Sequence, residues 1–263
     1  MIINKAVEKI KIFSVSVNVF DSYSHAVESI IDRIKDGQKS LCFAINPEKI
    51  YRVQSDIELK EVINTADIHI CDGVGVVIAT KILYGRRINR ITGIQLFCDL
   101  VARAEKEGLK IFILGASPEA NKGACEKLLA KHPNLQIAGR QNGYCNDTAA
   151  VIRTINDSGA DMLFVAMGSP KQEFWIAEHK DAINAPFCMS IGGTLDVVSG
   201  KTKRAPRIFR KTGTEFLYRL IKEPKRWKRQ IALPKFVLMV LKSRFLTGNR
   251  QMQYTHDNTG RLE

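Results

Sequence analysis

Hydrophobic and polar positions alternate along this chain with two different periods. Short apolar runs at 40–45, 68–71, 110–114, 162–167 and 187–191 are too brief for helices and read as buried strands. Residues 11–17 alternate apolar and polar like an early half-buried strand, and 135–138 form a brief further one. Between these runs the period lengthens to that of a helix. Over 21–35 the apolar positions are Ala26, Val27, Ile30, Ile31 and Ile34, and Gly37 closes the helix. Helical pieces are predicted over 47–53, 57–65, 73–83, 94–107, 117–131 and 147–157, and after the 162–167 strand through His179. Gly108 closes the one at 94–107. Strands alternating with helices predict an α/β fold: a doubly wound, largely parallel, Rossmann-like sheet with right-handed crossovers.

The run Ile68-His69-Ile70-Cys71 stops at Asp72-Gly73, as a buried strand does when it hands a polar group to a cleft. In open α/β sheets ligands sit beyond the carboxyl ends of the strands. An aspartate there can take a proton from an incoming hydroxyl. The plainer reading of Asp72-Gly73 is a strand-to-helix turn. Three other strands end in a small polar residue followed by proline: Asn46-Pro47, Ser117-Pro118 and Ser169-Pro170. Asn or Ser at the cap with proline at the first helical position predicts a helix start, and such turns offer backbone N–H groups to anions. Gly192-Gly193 permits close approach of a phosphate or sugar. Several such turns on one sheet edge point to a phosphate-bearing ligand.

The composition, 45% hydrophobic and 25% charged over 263 residues, is that of a soluble globular chain with a substantial core. The N-terminus lacks the apolar stretch of a signal peptide, and no run approaches the ~18 apolar residues of a membrane span. The six cysteines form no Cys-x-x-Cys pair, and Cys42, Cys71 and Cys188 lie inside strand-like runs as small hydrophobes. A reducing cytoplasm is therefore expected, without structural zinc or disulfides. The five histidines show no ligand spacing, and mid-strand His69 reads as structural. No metal or cofactor is expected.

The net charge of +13 is unevenly placed. Residues 201–244 hold 15 of the 40 Lys/Arg and 2 of the 27 Asp/Glu, so the rest of the chain holds 25 of each sign. That boundary predicts an α/β domain over 1–200, a basic amphipathic appendage over 201–246 and a disordered tail over 247–263. In the appendage, charge is interleaved with Phe216, Leu217, Trp227, Phe236, Leu238 and other apolar residues, and Pro224 and Pro234 divide it into short helices. Such a segment is drawn to an anionic membrane surface, each basic residue contributing about 1 kcal/mol. The plainer reading is a solvated basic helix packed on the body.

Several strand-end sequences occur in a telling order. They are Asn46-Pro47-Glu48-Lys49, Asp72-Gly73-Val74-Gly75-Val76-Val77, Arg90-Ile91-Thr92-Gly93 and Ala166-Met167-Gly168-Ser169-Pro170-Lys171-Gln172-Glu173. Gly192-Gly193-Thr194-Leu195-Asp196-Val197, Lys203-Arg204-Ala205-Pro206 and Glu215-Phe216-Leu217-Tyr218-Arg219-Leu220 follow. Together, over roughly residues 40–230, they resemble the WecG/TagA/CpsF glycosyltransferases of bacterial cell-surface polysaccharide synthesis, most specifically at 168–173.

The resemblance implies a metal-independent, inverting transfer from a UDP-sugar to a polyprenyl-diphosphate-linked sugar at the cytoplasmic face of the plasma membrane. The donor would be UDP-N-acetylmannosamine, its uronic acid, or UDP-glucose. By motif position Asp72 matches the general base, and Asn46, Arg90 and Gln172 match polar residues lining the pocket. Gly168, Ser169, Gly192 and Gly193 belong to the substrate-binding turns, and Asp196 matches a position near the nucleotide. Arg219, Arg226 and Arg229 match C-terminal arginines that contact diphosphate. Family members often carry a hydroxyl residue where this chain has Ala44, which leaves the donor open. A homo-oligomer is compatible with this reading.

The residue types suit the chemistry independently. Inverting displacement needs one base for the attacking hydroxyl and cationic or N–H donors for the departing UDP. The chain has no Asp-x-Asp, so arginines and helix N-termini are the available counter-charges. Two other classes compete. A nucleic-acid-binding protein would use the basic segment, but no such motif is present and the apolar residues come as aliphatic runs. A nucleotide-dependent oxidoreductase would need a Gly-x-Gly-x-x-Gly after the first strand, which is lacking.

Overall fold

The computed structural model describes residues 7–222, 224 and 227–247, in which strands are interspersed with helices up to residue 198 and only helices follow. The chain runs through β1 (Lys9–Ile12), β2 (Val15–Asn18), α1 (Tyr23–Lys35), β3 (Ser40–Ile45), α2 (Pro47–Arg52) and α3 (Ile57–Asn64). Next come β4 (Ile68–Cys71), α4 (Val74–Tyr84), α5 (Gly93–Glu107), β5 (Lys110–Gly115), α6 (Pro118–Lys131) and β6 (Gln136–Gln141). Then follow α7 (Thr148–Asp157), β7 (Met162–Ala166), α8 (Lys171–His179), β8 (Phe187–Ser190) and α9 (Thr194–Val198). The C-terminal segment holds α10 (Arg207–Thr212), α11 (Glu215–Lys222), α12 (Trp227–Gln230) and α13 (Ala232–Thr247).

Six strands form one parallel sheet in the order β4-β3-β8-β7-β5-β6. Strand side chains alternate between two apolar layers, as the pleat requires. Leu41, Phe43 and Ile45 of β3 pack with α2, α3, α4, α7, α8 and α13. Cys42 packs on the other face with α1, α5, α6 and α9. The expected doubly wound parallel sheet is thus the observed one. The helices that follow the neighbouring strands β3 and β8 leave for opposite faces. This opens a crevice at the carboxyl edge, where ligands of such sheets bind.

Four local expectations need correction. The stretch 11–17 is a hairpin rather than one strand: Ile12 pairs with Val15 across a two-residue turn. Phe13 takes φ 55 there, the left-handed conformation a two-residue hairpin turn needs. Neither Gly nor Asn marks it in the sequence. β6 runs beyond the expected 138 because, as a half-exposed edge strand, it lacks a continuous apolar run. It lies so close to β5 that a side chain at Gly139 would come within 2.5 Å of the Phe112 ring.

The third proline turn also differs. The Ser169–Pro170 peptide is cis, α8 begins at Lys171, and no side chain caps it. Asn46 and Ser117 do cap α2 and α6, accepting from the N–H groups of Lys49 and Ala120. Finally, the helix break beside Pro234 falls before it, at residue 231, and the helix that follows is long rather than short. Pro234 lies in the first turn of α13, where its missing N–H costs no helical bond.

The C-terminal segment is anchored to the body. α13 packs against α2 and α4, and Phe236 and Val240, each 2% exposed, join the core. Gly213 is buried against α4, where a side chain would meet the Val74 Cβ at 2.7 Å. Among the described residues no helix is long and apolar enough to cross a membrane. The expected tail at 248–263 lies outside the described residues. His69 is structural: its ring Nε2 donates to the Ile63 carbonyl at 2.7 Å, and burial lowers its pKa to about 4.

Candidate active site

The turns after β3, β4, β7 and β8 meet at the carboxyl edge of the sheet. The Asp72 N–H donates to the Ile45 carbonyl at 2.8 Å, which ties the end of β4 to that of β3. Gly73 lies against Asn46 and Pro47, and a side chain at Gly75 would come within 2.6 Å of the Pro47 ring. α4 therefore starts close upon α2. Half-buried Asp72 accepts the Gly93 N–H through Oδ2 at 3.3 Å. Gly93 opens the fifteen-residue α5, where Thr92 makes no side-chain cap. Asp72 thus serves as the acceptor at that helix start, and the positive end of α5 faces the carboxylate. The Ile91 N–H donates to the Cys71 carbonyl at 2.9 Å, bringing Arg90 beside the same strand end.

A buried polar chain links this corner to the other turns. Lys49, in the first turn of α2, donates through Nζ to Ala44 O at 2.8 Å and to Glu173 Oε1 at 2.7 Å. Gln172 Nε2 donates to the same Glu173 oxygen at 2.9 Å, and Gln172 Oε1 accepts the Gly192 N–H at 3.0 Å. Glu173 has no exposed surface. Burial alone would raise its pKa, but the Lys49 ammonium, with hydrogen bonds from Lys49, Gln172 and Ser169, holds it below the usual carboxylate range. A side chain at Gly168 or Gly192 would meet nothing within 4 Å, so open space lies over both turns. Gly193 lies close to the Asp196 carboxylate.

Two clefts flank the corner. The larger, about 420 Å³, is lined by Tyr23, Arg90, Thr92, Gln95, Asp99, Arg204, Arg207 and Glu215. The smaller, about 180 Å³, is floored by Val74, Val77 and Ile88 and bordered by Arg87, Asn89, Arg90, Thr212 and Gly213. Arg90 belongs to both. Asp72 lies between their walls in the chain: it is bonded to Gly93, next to Thr92 of one, and stands two residues before Val74 of the other. Residues 204–215 supply walls to both clefts, so the C-terminal segment helps to enclose them.

This arrangement offers a half-buried carboxylate, Asp72, beside two arginine-bearing clefts that share Arg90, with glycine turns opening nearby. It suits deprotonation of a hydroxyl next to a phosphorylated leaving group. Burial pushes the Cys71 and Cys188 thiols up to about 12, so these two do not compete as nucleophiles.

The profile of the Glycosyl transferase WecG/TagA/CpsF family matches residues 10–250. The chain belongs to that family. The WecG/TagA/CpsF assignment makes it a glycosyltransferase, a hexosyl-transferring enzyme of cell-surface polysaccharide synthesis. Among curated relatives, the N-acetylglucosaminyldiphosphoundecaprenol N-acetyl-beta-D-mannosaminyltransferase of Bacillus subtilis (strain 168) is 36% identical over 198 residues. The match covers 75% of this chain and 77% of that protein. A protein of the same name from Bacillus spizizenii (strain ATCC 23059 / NRRL B-14472 / W23) is 33% identical over 219 residues, 83% of this chain and 84% of its own.

Of the residues singled out in the sequence, the structure gathers Asn46, Asp72 and Arg90 at one corner. It strings Gln172, Ser169 and Gly192 onto the Lys49–Glu173 pair, with Gly168, Gly193 and Asp196 in the adjoining turns. Gln172 is 3% exposed, so it braces the Gly192 turn from within. Arg226 and the side chains of Arg219 and Arg229 lie outside the described residues. Sequence reasoning gave no role to Lys49, Glu173, Tyr23, Gln95, Asp99, Arg204 or Arg207. Signals existed for some: Lys49 and Glu173 end two of the motifs, and Arg204 stands in Lys203-Arg204-Ala205-Pro206.

Proposed function

We propose that the chain transfers N-acetylmannosamine, with inversion, from its UDP-sugar to N-acetylglucosamine carried on a polyprenyl diphosphate. The activity for which the two Bacillus relatives are named favours this sugar and acceptor over a uronic acid or glucose donor. The observation that carries the reading is Asp72 at the end of β4, held by the α5 N-terminus where two arginine-bearing clefts meet. Asp72 takes the proton of the acceptor hydroxyl as its oxygen attacks the anomeric carbon. The UDP oxygen departs from the opposite side of the sugar ring. Guanidinium groups and the open strand-end turns receive the growing phosphate charge. No metal enters this scheme.

The C-terminal segment brings the enzyme to the lipid. Of the fourteen exposed large hydrophobic residues among those described, ten lie between Ile208 and Leu246, interspersed with Lys and Arg. That mixture favours peripheral attachment to an anionic membrane, on the cytoplasmic face where nucleotide sugars are made.

The test is UDP release from a panel of UDP-sugars with a short-chain polyprenyl-diphosphate-GlcNAc acceptor and EDTA, for wild type and Asp72→Asn. The expected result is acceptor-dependent release with UDP-N-acetylmannosamine, reduced about 10²–10⁴-fold by Asp72→Asn. Full activity of that variant removes Asp72 as the base. Loss of activity in EDTA removes metal independence.

A further inference from the structure

The 420 Å³ cleft carries chemistry that the scheme above leaves unassigned. Arg90, Arg204 and Arg207 line it, against the carboxylates of Asp99 and Glu215. Asp99 accepts Gln95 Nε2 at 2.9 Å, and Glu215 occupies the first turn of α11, whose positive end favours it. Arg204 is under-used. Its Nη2 reaches Gln95 Oε1 only at a long 3.4 Å, and its Nε is buried without a hydrogen-bond partner. A buried donor left in that state is costly, and a bound anion would offset the cost.

We infer that this cleft grips the diphosphate of the lipid-linked acceptor through Arg204 and Arg207, with Arg90 between it and Asp72. The inference rests on the reading that the acceptor is a sugar diphospholipid. Guanidinium forks match phosphate oxygens in pairs, so two of them suit a diphosphate better than a single carboxylate. The cleft's place favours the acceptor over the nucleotide. Ile208, next to Arg207, is 68% exposed, and the exposed apolar residues of the C-terminal segment follow, so a lipid tail leaving the cleft meets an apolar surface. Thr92, which also lines the cleft, precedes Gly93, whose N–H holds Asp72. A sugar attached to the diphosphate thereby points its hydroxyl toward the base.

The experiment uses the full-length chain with Arg204→Gln, Arg204→Lys and Arg207→Gln. KM for acceptor and for UDP-sugar are measured separately, and inorganic pyrophosphate binding is measured by calorimetry without either substrate. Expected are a rise of about tenfold or more in acceptor KM for each Gln variant, a donor KM within about twofold, and weaker pyrophosphate binding. Arg204→Lys should recover only part of the loss, since an ammonium cannot form the fork, whereas a merely structural defect would move both KM values. A rise confined to donor KM would overturn the assignment in favour of the nucleotide diphosphate. Unchanged pyrophosphate binding in both Gln variants would remove the anion site altogether. If wild type transfers no sugar yet binds pyrophosphate in an Arg204-dependent way, the transfer reading fails while the anion cleft stands.

Discussion

The buried Lys49–Glu173 pair makes a demanding prediction. Lys49→Met keeps most of the side-chain volume but removes the ammonium that faces a carboxylate with no exposed surface. Breaking such a pair from one side costs about 3–5 kcal/mol, because the remaining charge stays buried. The Ala44 carbonyl also loses a donor, worth about 1 kcal/mol. For a chain of this size 1 kcal/mol moves Tm by about 2–4 °C, so a fall of about 10 °C or more is expected at pH 7.

The pH dependence carries the sign. In the wild type Glu173 titrates below its unfolded value, so its stabilisation is present above that value and is lost as pH falls through the folded pKa. In Lys49→Met the opposition to burial is gone, so the folded pKa rises above the unfolded one. The penalty then shrinks as pH falls and the carboxyl takes up a proton. Thermal melts of both proteins from pH 8 to pH 5 should therefore converge. Adding Glu173→Gln, which keeps an acceptor for Gln172, should recover at least half of the loss. A variant melting within about 3 °C of wild type at pH 7, or a deficit constant across that range, would refute the account.

Other outcomes follow from the same structure. His69, lowered by burial to about 4, binds fewer protons folded than unfolded, so acidification from pH 7 to 5 should cost about 2 kcal/mol through this residue. Denaturant titrations of wild type and His69→Gln at both pH values measure it, and equal slopes would dismiss it. Gly213→Ala places a methyl 2.7 Å from Val74 Cβ at φ +74, so it should loosen the C-terminal segment and lower kcat more than Tm. Steady-state kinetics and melts decide between the two. Phe245 and Leu246 are 82% and 75% exposed. Changing both to Ser should weaken flotation with anionic vesicles about tenfold or more while leaving Tm unchanged, and unaltered flotation would remove them as membrane contacts.

The layered sheet was legible because its strands are buried on both faces. β3, β7 and β8 read as continuous apolar runs with helix-period segments between them, and periodicity reports such elements best. Legibility failed where local chemistry departed from its usual markers. The β1–β2 turn uses Phe13 and Ser14 rather than glycine or asparagine, and β6 is an edge strand without an apolar run. Ser169-Pro170 resembled two true helix caps, yet the side chain of Ser169 serves buried Glu173 instead. A dipeptide reports a backbone preference; here the carboxylate four residues on, buried by the fold, diverts the hydroxyl.

The same distinction divides the candidate site. Asp72 could be singled out because one residue type at one strand end is a local pattern. Lys49 and Glu173 end two of the motifs yet carried no role there, since their meaning lies in a contact across 124 positions of sequence. Taken singly, a lysine after a helix cap and a glutamate in a first helical turn are ordinary surface residues. Joined at 2.7 Å and buried, they connect the β3 turn, which lies beside Asp72, through Gln172 to the Gly192 turn after β8. These are the adjacent strands whose helices depart to opposite faces. A crevice there needs something to keep its walls from drifting, because no helix crosses from one to the other. The ion pair supplies that brace from beneath the site, so its residues are conspicuous only once the sheet order is known.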